Sequence, residues 1–88
     1  MKIKYHKDFE KRFKKLSPSL KGKTILAIEK FAKNPLDKTL RNHPLTGKLR
    51  GKRAFKVTGD YRVIFEECED YVLVIMLDVG THAQVYGI

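Results

Sequence analysis

The stretch Lys52–Val79, KRAFKVTGDYRVIFEECEDYVLVIMLDV, decides the fold. It divides into three runs, Lys52–Thr58, Tyr61–Glu66 and Tyr71–Val79, rich in the β-branched and aromatic residues that suit a pleated surface. Gly59-Asp60 separates the first two as a tight turn, and Cys68–Asp70 separates the second two as a polar one. The third run is apolar at nearly every position, which predicts a central strand covered by helices on at least one face. Gly80 and Thr81 interrupt that strand, and His82–Tyr86 adds a short final segment.

Upstream, residues 36–51 carry Pro44, Gly47 and Gly51 among basic residues, the pattern of a loop with one helical turn near Leu36–Leu40. Before it, Leu20, Thr24, Ala27, Ile28 and Phe31 recur at helical spacing, with Ile25 and Leu26 at the margins of the stripe. They predict a helix over Pro18–Lys33, opened by Ser17 as a cap with Pro18 in its first turn and closed by Asn34-Pro35. Phe9, Phe13 and Leu16 form the apolar face of a shorter helix starting near Asp8. Lys2–His6 alternates, Ile3 and Tyr5 against Lys2 and Lys4, as a half-buried strand does. The expected fold is α+β: an N-terminal strand and an antiparallel helical hairpin packed on a mainly antiparallel sheet of about four to five strands. At 88 residues the chain is expected to form a single domain over residues 1–88.

Charge is distributed unevenly along this frame. Residues 1–56 hold eighteen Lys and Arg against four carboxylates, a net +14, whereas residues 57–88 hold one Arg against six carboxylates, a net −5. A basic excess of this size suits a polyanionic partner, either nucleic acid or an acidic protein segment, and equally serves as a solvated, lysine-rich face. The single cysteine, Cys68, excludes an internal disulfide and a multi-cysteine metal cage. Its acidic neighbours Glu66, Glu67, Glu69 and Asp70 disfavour the thiolate a nucleophile needs. The longest strongly apolar run, Tyr71–Leu77, falls far short of the ~20 residues of a membrane span. The charged N-terminus lacks the apolar stretch of a signal peptide, so a cytoplasmic protein without membrane contact is expected.

Three segments place ionisable groups where packing does not need them: Asn42-His43-Pro44-Leu45-Thr46-Gly47, Thr58-Gly59-Asp60-Tyr61-Arg62, and Gly80-Thr81-His82-Ala83-Gln84-Val85-Tyr86. Each side chain alone has a bland reading as an exposed loop histidine, a turn aspartate, a snorkelling arginine or a core-closing tyrosine. Together they supply what metal-independent RNA cleavage needs. RNA carries its own nucleophile, the 2′-hydroxyl. Catalysis requires a base for it, an acid for the leaving 5′-oxygen, and positive charge at the crowded phosphate. His43 and His82 are the candidate acid–base pair, since imidazoles titrate near neutrality. Asp60 is placed to orient one of them and Tyr86 to stack or donate a hydrogen bond. Arg53, Lys56 and Arg62 are the candidate phosphate ligands. No cofactor is expected, and a metal site of His43, His82 and Asp60 lacks tight ligand spacing.

The segments HPLTGKLRGKRAFKVTGDYRVIF and GTHAQVYG resemble the RelE/ParE toxin superfamily, most closely its YafQ-like branch of ribosome-dependent mRNA endonucleases. The resemblance covers nearly the whole chain. It implies a type II toxin with the ribosome and mRNA as targets, held by a cognate acidic antitoxin in a toxin–antitoxin hetero-oligomer. Residue by residue, His43 matches the loop histidine, Asp60 the turn aspartate, His82 the terminal histidine cast as general acid, and Tyr86 the closing aromatic. Where the YafQ-like pattern has an acidic residue and a histidine on the strand before the turn, this chain has Ala54 and Lys56. Lys56 and Arg62 are similar instead to the RelE branch, so the base is His43 or Lys56, with His43 the first choice. A second reading is a ParE-like toxin that binds and inhibits a DNA topoisomerase, against which the two histidines and the GTH motif argue. A third is a basic RNA-binding module whose histidines only form hydrogen bonds.

Overall fold

The computed structural model describes residues 1–87. The chain opens with strand β1 (Lys2–Tyr5) and helices α1 (Lys7–Lys14) and α2 (Pro18–Lys33). His6 caps α1, its Nδ1 accepting from the Asp8 amide at 3.0 Å. Ser17 caps α2, its Oγ accepting from the Leu20 amide at 3.2 Å, with Pro18 in the first turn. Both bounds of α2 match those read from the sequence. The remaining elements are a 3-10 turn (Lys38–Leu40), β2 (His43–Pro44), a second 3-10 turn (Gly47–Leu49), β3 (Arg53–Lys56), β4 (Tyr61–Cys68), β5 (Leu73–Thr81) and α3 (His82–Tyr86).

The five strands form one sheet in the order β1-β5-β4-β3-β2. β1 runs parallel to β5, and every other pair is antiparallel. The long apolar strand β5 is internal, as its composition requires. Successive residues of a strand face opposite sides, and the two sides have different uses. One packs Phe55, Val63, Phe65, Val74, Met76 and Val79 against Phe9, Ala27 and Phe31 of the helices. Phe31 is its hub, with ring centroids 4.7 Å from Phe55 and 4.8 Å from Phe65. On the other side a smaller cluster of Ala54, Ile64 and Val85, flanked by Leu45, Leu77 and Tyr86, holds α3 and the 45–49 loop to the sheet.

Four local expectations change. β5 does not stop at Gly80: it continues through Thr81, with Gly80 opposite Arg62 and Thr81 opposite Tyr61. The glycine is there for space, because a Cβ on it would stand 2.7 Å from Gln84 Oε1. The final segment is a helical turn, α3. The β4–β5 connection is displaced toward the C-terminus, since β4 persists to Cys68 and Glu69, Asp70 and Tyr71 all take left-handed φ of 54°, 55° and 69°. Tyr71 therefore belongs to the turn. Finally, His43–Pro44, expected in a loop, forms a two-residue strand on the sheet edge opposite Ala54 and Arg53. At the Ile64/Phe65 step the register shifts: Ile64 opposes Asp78 and Phe65 opposes Met76, leaving Leu77 as an extra residue on β5.

Candidate active site

α3 is five residues long and carries both C-terminal site residues, so its anchoring sets the geometry. Thr81 and Gln84 form a reciprocal capping box. The Gln84 amide donates to Thr81 Oγ1 at 3.2 Å, and the Thr81 amide donates to Gln84 Oε1 at 2.9 Å. The His82 amide donates to the Asp60 carbonyl at 3.0 Å, tying the start of α3 to the β3–β4 turn. Four residues on, Tyr86 returns to the same helical face as His82. Their rings meet edge to face, with centroids 4.2 Å apart and planes at 73°. Gly87, at φ 70°, ends the helix in the left-handed conformation that glycine adopts freely.

His82 and Tyr86 line an open hollow of about 310 Å³ with Leu45, Thr46, Lys48 and Leu49. Half-buried Arg62 lies near it, donating through Nη1 to the carbonyls of Thr58 (2.7 Å) and Tyr61 (3.1 Å). Burial raises the Tyr86 phenol above its ordinary pKa, and the nearby Arg62 charge only partly opposes this. Tyr86 is therefore a neutral hydroxyl at neutral pH, able to donate a hydrogen bond. The hollow thus combines an imidazole, a phenol and cationic side chains with aliphatic walls.

The other expected residues are placed as follows. Asp60 is exposed at the turn and engages His82 through its backbone carbonyl. His43 is exposed on β2, opposite Ala54, and is not among the residues lining the hollow. Its Nδ1 lies 2.8 Å from the Arg41 carbonyl. A carbonyl can only accept, so this contact is a hydrogen bond when Nδ1 carries a proton, and in the Nδ1–H tautomer Nε2 is left bare. Lys56 opposes Arg62 across the ladder and also borders a second hollow, of about 220 Å³, with Lys23, Lys30 and Thr39.

Arg53 does not share a face with Lys56. Three positions apart on a strand, the two point to opposite sides, and Arg53 lies on the Phe55 side. Its Nε donates to Asn42 Oδ1 at 2.8 Å, a tie that the grouping of Arg53 with the phosphate ligands overlooked. Gln84 is marked in the sequence only by the capping-box signature Thr81-x-x-Gln84. No periodicity marks the 45–49 wall of the hollow. Among the described residues, no three His, Cys, Asp or Glu side chains are grouped to hold a metal ion, and no helix is long and apolar enough to cross a membrane.

Comparison with known structures finds the same architecture in toxins. A crystal structure of YafQ from E. coli strain BL21(DE3) superposes with a TM-score of 0.81 at 25% identity, covering 97% of each chain. YafQ in the E. coli DinJ–YafQ toxin–antitoxin complex gives 0.70 at 26% identity, covering 97% of this chain and 96% of that one. The YoeB/ParE toxin from Agrobacterium tumefaciens shares the fold, with a TM-score of 0.76 at 14% identity over 93% of this chain and 99% of that one. A search among curated protein sequences returns no match. The family model for YafQ, bacterial toxin of type II toxin–antitoxin systems, matches residues 1–87. This match takes in both faces of the sheet and all three motif segments, and the chain belongs to the YafQ toxin family.

Proposed function

We propose that this toxin is an mRNA endonuclease that acts on the translating ribosome in the cytoplasm, as a single domain, and is held inactive by an acidic antitoxin. The observation that carries the reading is the His82–Tyr86 pair, with centroids 4.2 Å apart, lining an open hollow near Arg62. In the proposed reaction the 2′-hydroxyl loses its proton to a base and attacks the adjacent phosphorus. The P–O5′ bond breaks, and His82 protonates the leaving 5′-oxygen. The products are a 2′,3′-cyclic phosphate and a 5′-hydroxyl. Arg62 and Lys56 neutralise the phosphate oxygens as charge builds on them, and the Tyr86 hydroxyl donates toward the same group.

His43, through its bare Nε2, is the proposed base. The two histidines come from different parts of the fold, His43 from edge strand β2 and His82 from the start of α3, whose hollow is walled by Leu45 and Thr46 just beyond β2. They can address opposite sides of a nucleotide laid across the strands. Asp60 contributes by fixing the start of α3. The DinJ–YafQ complex supports an antitoxin partner for this chain, and the net +14 of residues 1–56 suits an acidic segment. Expression of the toxin alone in bacteria, with mRNA ends mapped during growth arrest, tests the proposal. Wild type should arrest growth and create new mRNA ends, and His82→Ala should do neither. Arrest by both proteins without new ends would overturn the endonuclease reading in favour of topoisomerase inhibition.

A further inference from the structure

The residue just before His43 has a side chain more tightly engaged than its loop position suggests. Asn42 Nδ2 donates to the Pro35 carbonyl at 2.9 Å and to the Tyr71 hydroxyl at 3.0 Å, while its Oδ1 accepts from Arg53 Nε at 2.8 Å. These partners admit only one orientation of the amide. Reversed, it would set its oxygen against the Pro35 carbonyl and its NH₂ against the Arg53 N–H. The partners themselves are fixed. Tyr71 packs against Phe31 and Phe65 with ring centroids 6.1 and 6.3 Å away, and its amide donates to Glu67 Oε2 at 3.1 Å. Arg53 sits in the β3 ladder, opposite Phe65 and Pro44. The clamp thus joins the aromatic core, the β4–β5 turn and the 35–43 segment.

Its consequence falls on the neighbours. Arg41 takes a left-handed φ of 50°, and its carbonyl is the group His43 Nδ1 meets at 2.8 Å. Asn42 lies between them, so its clamp steadies the backbone that carries both the carbonyl and the ring. We infer that Asn42, clamped by Tyr71 and Arg53, is the positioning residue that holds the His43 ring with Nδ1 protonated and Nε2 bare. The inference rests on the reading of His43 as the base for the 2′-hydroxyl. It gives Arg53 and Tyr71 a part in the reaction without contact with RNA, acting only through the orientation of another side chain.

Two variants test it, each read in two ways. Tyr71→Phe removes one hydroxyl and keeps the ring packing, while Asn42→Ala removes the whole clamp. Long-range proton–nitrogen NMR correlations of the His43 ring, at a pH where it is neutral, report which nitrogen holds the proton. Cleavage is measured separately on purified ribosomes carrying mRNA. Wild type should show the Nδ1–H form. Asn42→Ala should shift the ring toward Nε2–H and lower cleavage by about tenfold or more, part of the 10²–10⁴ a general base supplies. Tyr71→Phe should move both readouts in the same direction and less far. An unchanged tautomer in Asn42→Ala would overturn the inference, whatever happens to cleavage, and the shift is read on protein whose NMR spectrum keeps the dispersion of the folded chain, because a histidine in an unfolded chain also favours Nε2–H. A shifted tautomer with undiminished cleavage would uphold the clamp and instead remove His43 from the role of base.

Discussion

Gly80→Ala introduces one methyl group at the crossing of three elements. The new Cβ would lie 2.7 Å from Gln84 Oε1, 3.2 Å from Gln84 Cβ and 3.1 Å from Arg12 Nη1. The arginine tip can retreat at little cost. The Gln84 oxygen can retreat only by releasing the Thr81 amide, and Gln84 Cβ is fixed to the backbone of α3. Losing the hydrogen bond costs about 1 kcal/mol, and crowding in a packed site typically costs about 1–3 kcal/mol. Against this, replacing glycine by alanine restricts the unfolded chain and gains about 0.4–1 kcal/mol. The net expectation is a destabilisation of about 1–3 kcal/mol, read by urea denaturation, with loss of the His82–Tyr86 contact in NMR spectra. A double-mutant cycle isolates the cause. Gln84→Ala alone should cost about 1 kcal/mol as a lost cap, and in its background Gly80→Ala should cost less than in wild type, because the 2.7 Å contact with Oε1 is gone while the 3.2 Å contact with the Cβ of residue 84 remains. Equal destabilisation by Gly80→Ala in both backgrounds would refute the claim that Gly80 exists to admit Gln84.

Two further outcomes follow from packing and burial. Phe31→Ala empties the hub between Phe55 and Phe65 and should cost about 3–5 kcal/mol, much of a typical stability of about 5–15 kcal/mol; a loss below about 1 kcal/mol in urea denaturation would contradict the assigned core. Asp78 has its pKa raised mainly by burial, opposed in part by Arg12, whose Nε lies 3.4 Å from Oδ1. A raised carboxylate pKa favours folding below the unfolded value near 3.9, and that advantage is lost as pH climbs through the folded value. Thermal melts of wild type and Asp78→Asn from pH 3 upward should show the difference moving in the variant's favour as pH rises. Movement the other way would mean that the Arg12 ion pair outweighs burial.

How much of this was legible in the sequence depends on how local each signal is. The bounds of α2 are carried by Ser17-Pro18 and Asn34-Pro35, whose conformational limits act within one or two residues, and the structure follows them. The internal position of β5 follows from a run of apolar residues that both neighbouring layers must cover. α3 is too short for periodicity to register, and Gly80 reads as a breaker until Gln84 is seen occupying the place of its side chain. The left-handed run Glu69, Asp70 and Tyr71 includes an aromatic that composition assigns to a strand. Of the candidate site, His82 and Tyr86 meet as their four-residue spacing on a helix requires. Arg53 and Lys56 share a charge, but strand alternation sets them on opposite faces. The engagement of Asn42 with Tyr71, twenty-nine residues away, has no local signature at all.

The chemistry of the cut ends tests the central claim most directly. Ribosomes programmed with an mRNA are incubated with purified toxin, and the termini of the fragments are identified by mass, beside an mRNA carrying a single 2′-deoxy nucleotide at the mapped cleavage position. Attack by the 2′-hydroxyl predicts a 2′,3′-cyclic phosphate on one fragment, a 5′-hydroxyl on the other, and no cleavage at the deoxy position. Fragments ending in a 5′-phosphate, or undiminished cleavage of the deoxy mRNA, would contradict it.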